Sequence, residues 1–523
     1  MPTHAQAIAS VLAERGVRYV FGLPGGEIVA FINACREAGL QFLLTGHEAS
    51  AAWMAQVVGQ ITGTPGVCAA TLGPGATNLV TGVANAWLDR APMLAVTAQI
   101  PAAALPTMTH QRLPLQELFS PVTKGSFAVG TEDTVALVNR SMDLAAAPRP
   151  GPVHVSLASD LAVKEYVPGK SQSVASAPHA NGSGLNEIAT RLQAATQPLV
   201  LIGLGATPAD APAIQELIAK LQSPFLVTPK VKGIVPEDHP LFLGIASGMA
   251  IDRDIVETIK LADLILGIGF DPVECDKAWF ADVRIASLDT VSMTEGTYRP
   301  LEAIGNLTTL ITELMARITA PKPWPSDLLN QRRSAIQRKS FDGASPLRFI
   351  EELRSIFPRE GITTCDVGSH KLVMGQFWRS YEPGTFFMSN GLSGMGFGIP
   401  AAIAAQLVHP QRPVLAVVGD GGMLMMLHDL TLIQQLSLPI IIVVLSDSSL
   451  SLIRVSAERR GFPPYGVDFT PPDFAAIAQG FGIAAKRVTN ISGIRECVEQ
   501  ALAKRMPFLI DVPIDHREYY DLV

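Results

Sequence analysis

Along the chain, short runs of valine, isoleucine and leucine that end in glycine, aspartate or proline alternate with amphipathic stretches of helical period. Such runs are too apolar for a sheet with one wet face, and with helical stretches between them they predict parallel strands covered on both sides. The predicted strands fall at residues 19–22, 42–45, 66–72 and 93–98, near 199–203 and 264–268, and at 362–366, 414–419, 440–445 and 508–512. Two breaks interrupt the alternation. Residues 167–184 are rich in serine, alanine, glycine and proline, and Ala320-Pro321-Lys322-Pro323-Trp324-Pro325 holds too much proline for regular structure. The chain is therefore read as three α/β segments at 1–166, 185–320 and 345–523, each a doubly wound parallel sheet.

Composition narrows the function without naming it. The 523 residues are enough for each segment to close its own core, and with 48% hydrophobic and 17% charged residues no long disordered tract is expected. A net charge of −7 offers no basic field to gather a phosphate backbone, so nucleic acid is not an expected partner. Cys35, Cys68, Cys275, Cys365 and Cys497 are far apart and form no CxxC pair. Neither a zinc site nor a disulfide framework is expected, and a cytoplasmic location fits. Thr3-His4-Ala5-Gln6 reads as a capping box before Ile8, Val11 and Leu12, so the N-terminus is predicted to open a domain helix rather than a secretion signal. No apolar run reaches the roughly 18 residues of a membrane span, and no membrane partner is expected.

Candidate chemistry concentrates in the third segment. In Val417-Val418-Gly419-Asp420-Gly421-Gly422 a buried strand stops at an acidic residue between glycines, ahead of a helix predicted at 424–436. At the carboxyl end of a parallel strand, glycines let a ligand approach the backbone and the next helix can face phosphate with its amides. Asp447 follows the next apolar run and should lie at the same end of a neighbouring strand. Two such carboxylates suit a hard cation of the magnesium type, which completes an octahedron with carbonyl, phosphate and water oxygens. The alternative is that Asp447 only caps a helix starting at Ser448. In the middle segment, Gly203-Leu204-Gly205 lacks the third glycine of a dinucleotide fingerprint and reads as scaffold.

Gly419-Asp420-Gly421, the helix and strand after it, and Asp447 resemble the diphosphate- and metal-binding motif of thiamine-diphosphate enzymes. The likeness extends over almost the whole chain: His47-Glu48-Ala49-Ser50, Gly73-Pro74-Gly75-Ala76-Thr77-Asn78, Phe119-Ser120-Pro121, Gly269-Phe270-Asp271-Pro272, Asp366-Val367-Gly368-Ser369-His370 and Ser389-Asn390-Gly391 are all similar to acetolactate synthases of the catabolic, flavin-free type. The resemblance implies a pyrimidine-binding first domain, a central Rossmann-like domain and a diphosphate-binding third domain. It implies thiamine diphosphate and Mg2+ as cofactors and no FAD. Asp420, Asp447 and the Ser449 carbonyl are the implied metal ligands, with Gly368, Ser369, His370, Gly419, Gly421 and Gly422 about the diphosphate and Leu450, Ser451 and Leu452 beside it. Pro24, Gly73 and Asn78 would meet the pyrimidine, the Ser393 carbonyl its amino group, and Met395 the waist of the bent cofactor.

Glu48 matches the family's glutamate that protonates the pyrimidine ring, so that the ring's own imino group becomes the base; a buried, apolar setting suits a carboxyl that shares such a proton. The implied reaction removes carbon dioxide from pyruvate or a similar 2-oxo acid and passes the acyl unit to a second carbonyl compound, with His110 and Gln111 lining the substrate cavity. A decarboxylase or an aldehyde lyase on the same cofactor is the alternative, because Ser451 and Ser456 stand where relatives carry Gly or Asn and Gln or Trp. Since the family builds its site from two subunits, a homodimer is the expected minimal unit and a homotetramer the expected assembly.

Overall fold

The computed structural model describes residues 1–101, 103–169, 184–247, 252–275, 284–294, 297–319, 323–338 and 345–520. Three six-stranded sheets are present, and every strand pairing is parallel. The first sheet comprises β1 (Tyr19–Leu23), β2 (Gln41–Leu44), β3 (Gly66–Ala70), β4 (Met93–Gln99), β5 (Ser126–Ala128) and β6 (Pro152–Ala158). The central sheet comprises β7 (Pro198–Ile202), β8 (Phe225–Val227), β9 (Phe242–Ile245), β10 (Leu264–Ile268), β11 (Ile285–Asp289) and β12 (Leu301–Ile304). The third comprises β13 (Ile362–Cys365), β14 (Phe386–Met388), β15 (Val414–Gly419), β16 (Ile440–Ser446), β17 (Ala484–Arg487) and β18 (Phe508–Pro513).

The first sheet runs β2-β1-β3-β4-β6-β5 and the third β14-β13-β15-β16-β18-β17, which is the same wiring twice. The central sheet runs β12-β11-β10-β7-β8-β9, the dinucleotide-fold order read from its other edge. The strand order reverses between β1 and β3, β7 and β10, and β13 and β15, and in the first and third sheets again at the far edge, where β5 and β17 lie outside β6 and β18. At such a point the loops leaving the two strands diverge to opposite faces, and a crevice opens at their carboxyl ends. Central strands are buried on both faces, as at β3, β4, β10 and β16, which is why they read as unbroken apolar runs.

The chain forms two compact units that do not follow the sequence breaks. One consists of residues 1–176, 391–411 and 425–438; the other holds 177–390, 412–424 and 439–523. Two stretches of the third segment, with the helices Gly398–Val408 and Asp429–Gln435, thus pack in the unit of the first sheet. The helix predicted at 424–436 is two helices, Asp420–Met425 and Asp429–Gln435, broken at 426–428. It begins earlier than apolar periodicity suggests because Asp420, an acid in its first turn, favours the N-terminus despite the low propensity of two glycines. The capping box at Thr3 is present, and none of the five cysteines, all within the described residues, is in a disulfide. Of the proline-rich break, Trp324 is buried and donates to the Pro198 carbonyl at 2.7 Å, while residues 170–183 and 320–322 lie outside the described residues.

The central crevice is filled by the chain itself. Gly203 and Gly205 bring the loop after β7 against the loop after β10, with Gly205 N donating to the Gly269 carbonyl at 2.7 Å. The Glu274 carboxylate accepts from Leu204 N at 2.9 Å, Lys230 N at 3.1 Å and Thr228 Oγ1 at 2.5 Å. Burial pushes Glu274 from 4.5 up to about 7 against these donors, and burial likewise lifts Asp289, at the end of β11, from 3.8 to about 7. Folded chains therefore keep these protons to higher pH than unfolded ones, and the stability that follows is present in acid and lost as pH rises through 7. Urea midpoints of the cofactor-free protein should fall from about pH 5 to about pH 7.5, and the fall should be shallower in the Glu274→Gln/Asp289→Asn double variant. An unchanged slope would contradict this assignment.

Candidate active site

The crevice of the third sheet lies between the loops after β13 and β15. Asp420, the first residue beyond β15, is 3% exposed. Its Oδ1 accepts from Gly421 N at 2.8 Å and its Oδ2 from Ser448 N at 2.7 Å. That second bond ties the loop after β15 to the loop after β16, the register Gly419↔Leu445 having already set the two strand ends side by side. Asp447 accepts from Ser449 N at 3.2 Å and from Ser451 Oγ at 2.5 Å. Burial, and then the charge of Asp447, push Asp420 up to about 7; burial also raises Asp447. The paired carboxylates anticipated from sequence do converge, and each gains by an added cation. Among the described residues no group of three or more His, Cys, Asp or Glu side chains could hold a metal, so a cation here takes its other ligands from backbone, ligand or water.

Asp447 is not the cap of a helix at Ser448. Ser448 has φ +62°, which turns the chain back so that the helix starts only at Ser451. Ser451 is buried, and its hydroxyl donates to Asp447. Across the crevice, Gly368, Ser369 and His370 follow β13. A methyl on Gly422 would lie 2.2 Å from Asp366 Oδ2, and one on Gly419 would lie 3.0 Å from the His370 ring, so both loops close up only as glycine. Ser369 Oγ and His370 Nε2 are buried without a hydrogen-bond partner, and burial holds His370 down to about 4. Unsatisfied buried polar atoms are rare in native proteins and mark a place where a polar ligand belongs. Leu450 and Leu452 are half-buried at the start of the helix Ser451–Arg459.

The tail packs next to it. Ile514 N donates to the Ser446 carbonyl at 2.8 Å, Tyr519 is buried, and Arg459 Nη2 donates to the Tyr520 carbonyl at 2.9 Å. Arg454 pairs with Asp468 and Glu458, and Tyr520 bonds Glu458, so the tail up to Tyr520 is fastened to the helix Ser451–Arg459.

The other cluster lies in the unit of the first sheet. Glu48 opens the helix Glu48–Thr62 after β2 and is 4% exposed, which is not the setting of a surface residue drawn to a helix dipole. His47 caps that helix through Nδ1. Asn78 Nδ2 donates to Glu48 Oε2 at 3.0 Å, while Gly75, where a methyl would lie 3.3 Å from Oε1, leaves the second oxygen room. Pro24 is exposed after β1, and Gly73, at φ +60°, lies under the Gln111 side chain. His110 and Gln111 are exposed, Gln111 at φ +56°. Ser393, exposed at φ +55°, precedes the half-buried Met395, and Gly394 and Gly396 face Trp53. That turn is pinned by a buried network absent from the sequence reading: Asp89 Oδ1 accepts from Gly391 N at 2.9 Å, and Asp89 Oδ2 accepts from Gln56 and Asn85. Gln56 and Asn85 are polar positions inside alanine-rich helices, the one signal that could have revealed them.

Three family models match the chain. Residues 2–119 match the N-terminal TPP binding domain of thiamine pyrophosphate enzymes, 185–314 the central domain and 366–512 the C-terminal TPP binding domain. The chain is 32% identical to an acetolactate synthase of Bacillus subtilis, over 99% of this chain and 94% of that protein. The chain belongs to the thiamine pyrophosphate enzymes of the acetolactate synthase family. Similar relatives include the acetolactate synthase isozyme 2 large subunit of Escherichia coli, 31% identical over 98% of this chain and 96% of the relative, and the catabolic acetolactate synthase of Raoultella terrigena, 30% identical over 98% and 95%. Among Gly368, Gly419 and Gly422, it is Gly422 that leaves least room for a methyl. Gly422→Ala must displace the Asp366 carboxylate, and overpacking of that kind costs about 1–3 kcal/mol. If that cost falls on the loaded site, calorimetric titration should show about 5- to 150-fold weaker thiamine diphosphate binding, whereas Gly480→Ala, which meets nothing within 4 Å, should bind as the parent does.

Proposed function

We propose that the protein decarboxylates pyruvate or a similar 2-oxo acid and transfers the acyl unit to a second carbonyl compound, as an acetolactate-forming carboligase. The observation that carries this reading is the convergence of Asp420 and Asp447 at a glycine-lined crevice, in a chain alike to acetolactate synthases from end to end. In this reading Asp420, Asp447 and the Ser449 carbonyl hold Mg2+. Gly368, Ser369, His370, Gly419, Gly421 and Gly422 hold the diphosphate, with Leu450, Ser451 and Leu452 alongside. Pro24, Gly73, Asn78, the Ser393 carbonyl and Met395 receive the pyrimidine and the bend of the cofactor. Residues 1–166 are the pyrimidine domain, 185–320 the central domain and 345–523 the diphosphate domain.

Bound, thiamine diphosphate supplies a carbon acid whose conjugate base adds to a ketone and then takes up the electron pair left by carbon dioxide. The chain's part is to hold and move protons and to exclude water. Asn78 occupies Oε2 of Glu48, so Oε1 is the atom that exchanges a proton with the pyrimidine ring. His110 and Gln111 meet substrate from an exposed loop. A flavin has no part in this reading, and Glu274, bonded to the donors of the central crevice, supports that. A homodimer is the minimal active unit and a homotetramer the assembly, working in the cytoplasm. No helix among the described residues is long and apolar enough to cross a membrane.

Incubating the magnesium-reconstituted protein with pyruvate, alone and with an aldehyde, should give acetolactate by mass spectrometry. Acetaldehyde alone, or a hydroxyketone only when aldehyde is supplied, would favour the decarboxylase or lyase reading instead. Glu48→Gln should lower turnover by about 100-fold or more, in line with loss of a positioned proton donor. Asp447→Ala should abolish magnesium-dependent cofactor binding, and retained affinity would remove the metal assignment.

A further inference from the structure

A second polar cluster sits at the start of the helix that carries Glu48, and the proposed chemistry does not use it. Ser50, two residues beyond Glu48, is fully buried. Its Oγ donates to Asp429 Oδ2 at 2.8 Å and lies 3.2 Å from His428 Nε2. A hydroxyl has one proton to give, so with Asp429 as acceptor the Ser50 oxygen is left to receive from His428. Asp429 is 1% exposed, and its Oδ1, 3.4 Å from His428 Nε2, has no hydrogen-bond partner. His428 fits there because Gly46 is bare: a methyl on Gly46 would lie 2.5 Å from the imidazole. On the other side of that glycine, His47 caps the helix, its ring 6.3 Å from that of His428. The first turn of the Glu48 helix is therefore gripped from outside its own sequence, at Ser50, by residues of the helix break at 426–428 and the turn after it. A buried acid is a costly way to hold a hydroxyl, since an apolar pair of the same shape would pack as well without the desolvation. What the polar pair adds is direction, because a hydrogen bond fixes the rotation of the helix start where dispersion contacts do not.

We propose that Asp429, acting through Ser50 and flanked by His428, is a positioning residue for Glu48. It sets the rotation of the first helical turn, and so the angle at which the Glu48 carboxyl meets Asn78 and presents Oε1. This inference rests on the proton-relay reading of Glu48. A small error in that angle is costly, since misplacing a reacting group by about 1 Å can slow a step by about 100-fold.

The test compares Ser50→Ala, Asp429→Ala and Asp429→Asn with the parent and with Glu48→Gln, in protein loaded with thiamine diphosphate and magnesium. Asparagine keeps an acceptor for the Ser50 hydroxyl, so Asp429→Asn is the conservative rescue. The first readout is exchange of the cofactor C2 proton for deuterium, followed by acid quench and NMR. The second, in cofactor-free protein, is amide exchange over residues 48–52. Expected are C2 exchange at least about tenfold slower in Ser50→Ala and Asp429→Ala, a pyruvate KM within about twofold of the parent, faster amide exchange at 48–52, and near-parent behaviour in Asp429→Asn. Parent-rate C2 exchange in Ser50→Ala overturns the proposal even if Asp429→Ala fails to fold, and so does an Asp429→Asn variant as slow as Asp429→Ala. If Glu48→Gln itself exchanges at the parent rate, the proton relay fails first; if only Glu48→Gln is slow, the relay stands and the positioning role falls.

Discussion

Two carboxylates at adjacent strand ends, the buried Asp420 and the half-buried Asp447, are the constraint around which the third sheet is organised. Like charges in a buried setting repel, and the chain answers with donors only: Gly421 N and Ser448 N on Asp420, Ser449 N and Ser451 Oγ on Asp447. Those donors all lie within a few residues of the two strand ends, in the first turns of the helices or the turn at Ser448, so the chain there has to be shaped before the acids can be tolerated. The parallel pairing of β15 with β16 supplies the alignment, and the positive φ of Ser448 supplies the turn. A cation set between the acids would convert repulsion into attraction, and the site would then hold itself together more firmly loaded than empty.

The central sheet uses the same physics to the opposite end. Backbone amides and a hydroxyl gather at its crevice as they would for an anionic ligand, and Glu274 from the neighbouring loop takes them all. One crevice is left with polar atoms unpaired, at Ser369 and His370, while the other is closed by an internal anion. Topology puts a crevice in both sheets, and the side chains at its rim decide whether it stays open.

Much of this was legible in the sequence because buried parallel strands are written as unbroken apolar runs, and the acids stand directly after two of them. Eight strands have no predicted run. β5, β8, β9, β12, β14 and β17 have only three or four residues, too short to show a pattern, and β11 has five with Ser287 and Asp289 among them. β6 carries His154 and Ser156 inside a buried strand, where His154 stacks on Phe119 and bonds Thr97 and Ser126. Within one unit Asn78 donates to Glu48, and within the other the loop of Asp447 is tied to Asp420. The supports do not read from sequence, because Asp89, Gln56 and Asp429 act through partners far away along the chain, and nothing local distinguishes a buried acid with a distant partner from a solvated one. The same holds for the unit division, since the helices Gly398–Val408 and Asp429–Gln435 leave their sequence neighbours for partners more than 300 residues earlier.

The identical strand order of the first and third sheets puts the same switch point twice in one polypeptide. One architecture thus carries two unlike rims, acids and glycines after β15 and β16 and a single buried glutamate after β2, which shows how little of a site's chemistry is dictated by the wiring beneath it.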